Sequence, residues 1–191
     1  MSNVVSIWCR SQKDSIIGKN IPWDEPEDKK NFRDIVKNKT MVMGRKTYES
    51  IEPCLLETNK IYVMSQNSEY EVINPKYHKL ISSQKELKDE EDDIYVVGGS
   101  FIYELFFRGK EALKPHIVID CVYEGDIIDG EGDVVDVSNL ANDLNLFYRR
   151  ITPFYKKGNV KSAIWIKKGE FVEQSILKEV VSILEKDAEV L

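Results

Sequence analysis

Apolar residues fall in short runs along this chain, and polar, glycine-bearing stretches separate them. "NVVSIWC" (3–9), "TMVMG" (40–44), "KIYVMS" (60–65), "IYVVGG" (94–99) and "HIVIDCV" (116–122) are brief, apolar and rich in β-formers, which predicts buried strands. Between them the period lengthens. In "DEPEDKKNFRDIVKN" (24–38), Phe32, Ile35 and Val36 stand at i, i+3 and i+4 and share a helical face. Pro26 suits an early helical position there, and acids crowd the first turn. "RKTYESI" (45–51) and "SFIYELFF" (100–107) read as helices that start just past glycine. "IIGKNIPW" (16–23) reads as a loop, with glycine, asparagine and proline as its punctuation. Residues 66–82 hold a short strand around Tyr77–Ile81, and "SSQKELKDEEDD" (82–93) begins as a helix capped by Ser82 or Ser83.

The second half closes differently. "YEGDIIDGEGDVVD" (123–136) reads as an acidic, glycine-rich loop without the ligand spacing of an EF-hand. "LFYRRITPFY" (146–155) and "VKSAIWIKK" (160–168) form a hairpin around "KKGN". In the last segment Val172, Ile176, Val180 and Leu184 recur every four residues, the mark of an amphipathic helix. Alternating strands and helices imply an α/β fold: a central, mostly parallel sheet flanked by helices, with an antiparallel C-terminal hairpin and an extra C-terminal helix.

Composition narrows the class. The 191 residues suit one well-buried core, and 42% hydrophobic with 31% charged residues describes an ordinary globular chain. A net charge of -6 speaks against nucleic acid as a partner, while leaving room for a local basic pocket. No apolar run is long enough to span a membrane, and the first residues lack the layout of a signal peptide, so a cytoplasmic location is expected. Three widely spaced cysteines, Cys9, Cys54 and Cys121, suit free thiols. His78 and His116 have no companion ligand set, so no metal site is expected.

Two stretches suggest chemistry. In "VMGRKT" (42–47) and "VVGGSF" (96–101) a strand stops in glycine and a helix begins. Unbonded N–H groups at such helix starts favour an anion, glycine allows close approach, and Arg45 and Lys46 add charge. Each also has a bland reading, a tight turn or a solvated surface. Their pairing at two strand-to-helix turns favours a dinucleotide.

Together, "IIGKNIPW", an acid five residues past Trp23, a phenylalanine four further on, "VMGRKTYESI" and "VVGGSFIY" resemble the dihydrofolate reductase family over about residues 3–168. The resemblance divides the chain into a reductase-like domain, 1–168, and a helical extension, 169–191. It implies reduction of dihydrofolate to tetrahydrofolate with NADPH. It implies Asp28 as the carboxylate that meets the pterin, with Trp23 and Tyr103 completing the catalytic set. Ile7, Cys9, Phe32, Ser50, Ile51, Val97 and Asp120 are implied beside the substrate. Around the cofactor it implies Ile17, Gly18 and Ile21 of a mobile loop, Gly44, Arg45 on the 2′-phosphate, and Lys46 and Thr47 at the pyrophosphate. Ser65 and Gln66 belong to the adenosine end. Gly98 and Gly99 match a pair joined by a cis peptide, followed by Ser100, Phe101, Ile102 and Tyr103.

Asp28 is one of four acids in "DEPED", and Glu27 is the neighbouring alternative; Phe32, four residues on, places Asp28 on the inward face. Burial raises the pKa of such a carboxyl, and a bound pterin's donors lower it. Four departures from the family stand out. The loop "GKNIPW" is one residue short. Arg10 replaces a small residue, and either narrows the pocket or pairs with an acid. Asp120 falls where a threonine bridges to the catalytic acid, unless the alignment shifts. Thr58 takes the place of an arginine that grips the substrate's glutamate, and lysine at 60 lacks a bidentate fork. The rivals are a same-fold reductase of another pterin or a pyrimidine, and a folate- or nucleotide-binding protein without turnover. A monomer is expected, with the last helix docked on its own domain or, alternatively, pairing with another chain.

Overall fold

The computed structural model describes residues 2–12, 16–18, 25–110, 113–126 and 134–191. Five parallel strands form the frame. They are β1 (Val4–Ser11), β3 (Thr40–Gly44), β4 (Lys60–Met64), β6 (Ile94–Val96) and β7 (Ile117–Tyr123). β5 (His78–Ile81) adds a parallel edge, while β9 (Tyr148–Arg150), β10 (Tyr155–Lys157), β11 (Val160–Lys167) and β12 (Glu189–Val190) are antiparallel. The strand order is β12-β10-β11-β7-β1-β6-β3-β4-β5, with β9 beside β11. A separate two-stranded ribbon pairs β2 (Ile16–Gly18) with β8 (Val134–Asp136).

The central strands are apolar on both faces because helices cover both. One face gathers Val5, Ile7, Cys9, Met41, Met43, Ile61, Ile117 and Ile119 with Ile35 and Val36 of α1 (Pro26–Val36) and Ile176, Val180 and Leu184 of α6 (Gln174–Glu185). The other gathers Val4, Trp8, Val42, Val96 and Val118 with Phe106 of α4 (Ser100–Arg108) and Leu140 and Leu144 of α5 (Ser138–Phe147). The apolar row of the last helix is therefore buried within its own chain, against α1. Lys157 Nζ ties the two helices by donating to Asn31 Oδ1 at 2.9 Å and to the Ile183 carbonyl at 2.8 Å.

Several elements differ from the sequence reading. "IIG" is a strand, not loop, because it pairs with the equally apolar Val134–Asp136 at the end of the acidic stretch; the rest of that stretch, 127–133, lies outside the described residues. Residues 82–93 form only a 3₁₀ turn, Gln84–Leu87, capped where Ser83 Oγ accepts from Lys85 N. Leu146 and Phe147 end helix α5 rather than opening the hairpin, and α3 (Pro53–Thr58) follows directly on α2 (Arg45–Ser50). Both helices are short, and hydrophobic periodicity is weak over so few turns. Among the described residues no helix is long and apolar enough to cross a membrane.

Candidate active site

β3 and β6 are neighbours in the sheet, yet the chain leaves them toward opposite faces. α2 follows β3 and buries Tyr48 in the α1 face, whereas α4 follows β6 and buries Ile102, Tyr103 and Phe106 in the other. Such divergence opens a crevice at the carboxyl ends of the strands. The two strand ends are joined at its floor, where Gly44 N donates to the Gly98 carbonyl at 2.8 Å. The Gly98–Gly99 peptide is cis, as the resemblance implies, and Gly98 has φ +119. That φ favours glycine, and a Cβ there would also stand 3.1 Å from the Tyr103 hydroxyl.

The crevice is a cleft of about 660 Å³. Gly44, Arg45, Lys46, Thr47, Ser65, Gln66, Gly99, Ser100, Phe101 and Ile102 line it, ten of the residues assigned to the cofactor from sequence. Neither α2 nor α4 has a side chain capping its N-terminus, so its first N–H groups remain for a ligand or water. At Gly99 an added Cβ would approach only Thr47 Oγ1, at 3.6 Å, so this wall is open to a close-fitting group. Two strand ends, two uncapped helix starts and a cationic rim fit a dinucleotide laid across the cleft. Ile17 and Gly18 belong to β2, where Ile17 pairs with Val135, itself a lining residue. Ile21 and Trp23 lie outside the described residues.

Sequence reasoning missed Ser82, Ser83, Gln84, Met64, Leu105 and Val135, which also line the cleft. The signal for Ser82–Gln84 was a polar run directly after an apolar strand, and it was read as a helix cap. This segment is bonded into the rim: Gln66 Nε2 donates to the Ser82 carbonyl at 3.0 Å, and Gln84 Nε2 to the Leu105 carbonyl at 3.2 Å.

The second half of the site lies on the α1 face of the sheet. Asp28 is 7% exposed, while Glu27 is exposed, so the inward acid is Asp28. Ile7, Cys9 and Val97 are buried in the floor, and Phe32 and Ile51 pack against it half-buried. The Cys9 thiol is pushed well above its usual pKa, first by burial and then by the neighbouring Asp28 carboxylate. Cys121, paired with Cys9 across β1 and β7, is raised by burial and Asp28 as well. Tyr103 connects the two halves, because its hydroxyl donates to the Ile7 carbonyl at 2.7 Å and stands against Gly98. Ser50 is exposed, and its hydroxyl donates to the Thr47 carbonyl at 3.1 Å.

Asp120 requires correction. Its side chain points through the other face of the sheet, because in β7 it is Ile119 and Cys121 that face α1. It accepts from Trp8 Nε1 at 2.7 Å and from Arg10 Nε and Nη2 at 2.8 and 3.1 Å. Asp120 thus belongs to a buried network with Arg10 and Trp8, not to the substrate face. Arg10 takes the second of its two expected roles and pairs with an acid. Thr58 is exposed at the end of α3, donating to the Cys54 carbonyl at 3.1 Å. Lys60 does not stand in for an arginine, since it pairs with Glu90 at 2.7 Å at the start of β4.

Comparison with known proteins bears on the family and the fold. The sequence profile of the dihydrofolate reductase family matches residues 3–133. The dihydrofolate reductase of Enterococcus faecium is 32% identical over 168 residues, spanning 82% of this chain and 98% of that one. That of Buchnera aphidicola is 36% identical over 121 residues, 62% of this chain and 74% of the relative. Among solved structures, a dihydrofolate reductase from Enterococcus faecalis complexed with NADP(H) and RAB-propyl superposes with a TM-score of 0.63 at 18% identity, over 87% of this chain and 96% of that one. With its cleft, its inward aspartate and its sheet order accounted for, the chain belongs to the dihydrofolate reductase family.

Proposed function

We propose that this chain catalyses the NADPH-dependent reduction of 7,8-dihydrofolate to tetrahydrofolate. The observation that carries the reading is an inward aspartate, Asp28, on the sheet face that α1 covers, together with a cleft whose two glycine-ended strands lead into uncapped helices. Arg45, Lys46, Thr47 and the starts of α2 and α4 would hold the cofactor. When bound it supplies a hydride, and its orientation is the protein's contribution. Asp28 accepts hydrogen bonds from the pterin's amino group and ring nitrogen, fixing the ring and favouring its protonated form. Ile7, Phe32, Ile51 and Val97 exclude water from the transfer. Tyr103 holds the β1 backbone where the two ligands meet.

A second reading keeps the fold and cofactor but changes the substrate to another pterin or a pyrimidine, and Thr58 in place of the family's arginine favours it. Mixing the purified protein with NADPH and dihydrofolate, and following the loss of reduced-nicotinamide absorbance, tests the first. Turnover is expected, with kcat/KM falling about 100-fold or more in Asp28→Asn. NADPH binding without turnover of dihydrofolate would move the assignment to the second reading, which substrates with and without a glutamate tail then probe.

A further inference from the structure

Arg45 opens α2 on the rim of the cleft, and two side chains hold it there. Glu49, one turn on, approaches the guanidinium with Oε1 at 3.5 Å from Nη1. On another side the guanidinium carbon stands 5.8 Å from the centre of the Tyr70 ring. Tyr70 lies in the connection between β4 and β5 and does not itself line the cleft. Its ring is fixed in turn. It packs edge-on against Tyr48 of α2, with centroids 6.3 Å apart and an interplanar angle of 78°. Tyr48 is fully buried, and its hydroxyl bonds His78 Nδ1 at 2.7 Å while accepting from Ile73 N at 2.8 Å. The connection is thereby tied to α2 at Tyr70 and again just after it, at Ile73, and the ring stands beside a long, half-exposed cation.

We propose that Tyr70 is a positioning residue that holds Arg45 for the 2′-phosphate of the cofactor, with Glu49 as its counterweight, so that the pair sets the preference for a phosphorylated nicotinamide dinucleotide. The inference rests on the NADPH reading above. An arginine on a flexible stem loses side-chain freedom when it grips a phosphate, and a ring that already holds it removes part of that loss. The ring's face attracts the cation without neutralising it, leaving the charge to the phosphate. Glu49 does the opposite: its carboxylate shares the guanidinium and repels an incoming dianion.

The two substitutions should therefore shift affinity in opposite directions, and only for the phosphorylated ligand. Binding of adenosine 2′,5′-bisphosphate and of 5′-AMP would be measured by calorimetry on the full chain, wild type and variants, with KM for NADPH and NADH alongside. Tyr70→Ala is expected to weaken the bisphosphate about fourfold and leave 5′-AMP unchanged. Tyr70→Phe keeps the ring and is expected to stay within about twofold of wild type. Glu49→Gln is expected to tighten the bisphosphate about threefold. Equal weakening of both ligands in Tyr70→Ala would make Tyr70 merely structural and overturn the proposal. Unchanged discrimination in that variant would overturn it too, while leaving the cofactor reading in place. Wild-type protein that binds the bisphosphate no better than 5′-AMP would overturn both.

Discussion

Asp28 and Asp120 are two buried aspartates beside one sheet, and their surroundings give them different work. Asp120, with 0% exposure, meets the Arg10 guanidinium at two nitrogens and the Trp8 indole at a third. Its charge is answered by partners on the adjacent strand, one of them Trp8, its register partner in β1. Asp28 stands across the sheet on α1, close enough to Cys9 to raise its thiol, on the face that also carries Ile7, Phe32 and Ile51. Burial alone does not distinguish a catalytic acid from a structural one. The surroundings differ: Asp120 meets the bidentate fork of a guanidinium on the far face, whereas Asp28 lies close to the Cys9 and Cys121 thiols on the face that α1 covers.

If that distinction holds, substitutions on the two sides of the sheet should separate activity from stability. Asp28→Asn should remove about 100-fold or more of kcat/KM while leaving the melting temperature unchanged or slightly raised. Arg10→Met should do the reverse. Removing one partner of a buried ion pair costs about 3 kcal/mol, which corresponds to a drop of roughly 10 °C in Tm for a domain of this size. The folded fraction of Arg10→Met should turn over dihydrofolate at near the wild-type rate. An Arg10→Met protein that melts normally but is inactive would place Asp120 back in the chemistry and end the comparison.

The cofactor half was far more legible in the sequence than the substrate half. Its residues come in contiguous blocks, "GRKT" and "GGSFIY", because a strand end and a helix start are made by neighbours in the chain, and ten of the residues so assigned line one cleft. The parallel frame and the closing antiparallel strands were legible for the same local reason. The substrate half depends on which face of β1, β7 and α1 each residue takes. A one-residue uncertainty in a strand exchanges its faces, which is why Asp120 was placed beside Asp28 when Cys121 is the residue on that side. Ser82–Gln84 escaped notice because their place in the cleft depends on β5 pairing with β4, a contact between segments whose connection has little periodic pattern. Helix α5 and strand β8 escaped because each is packed through partners far away in sequence.

A smaller effect is expected at the outer end of the substrate half. Thr58 is exposed and uncharged, and its hydroxyl proton is shared between the Cys54 carbonyl, at 3.1 Å, and Asn59 Oδ1, at 2.9 Å. Thr58→Arg would place a planar fork at the same helix end. The expected result is a fall in KM for dihydrofolate of roughly tenfold, the scale of one charge-assisted hydrogen bond. The gain should shrink with added salt, because the position is solvent-exposed. It should be absent for a pterin without a glutamate tail. An unchanged KM for dihydrofolate would mean that the glutamate lies elsewhere.

The least perturbing probe reads the Asp28 face without changing a residue. Cys54 is exposed, whereas Cys9 and Cys121 are buried, and both buried thiols are raised by burial first and by Asp28 next. Thiolate is the reactive form, so at pH 8 the two buried thiols hold almost none, and raising the pH modestly should not change that. Alkylation of the native protein with iodoacetamide, followed by intact mass, should add one label, and the same reaction in urea should add three. Dihydrofolate should slow any residual reaction at Cys9 and leave Cys54 untouched, because Cys9, unlike Cys54, lies under the proposed pterin site. Native labelling of Cys9 as fast as Cys54 would show that water reaches the floor beneath Asp28. The aspartate would then sit in a solvated pocket, unlike Asp120, and the dry hydride transfer argued for this face would lose its basis.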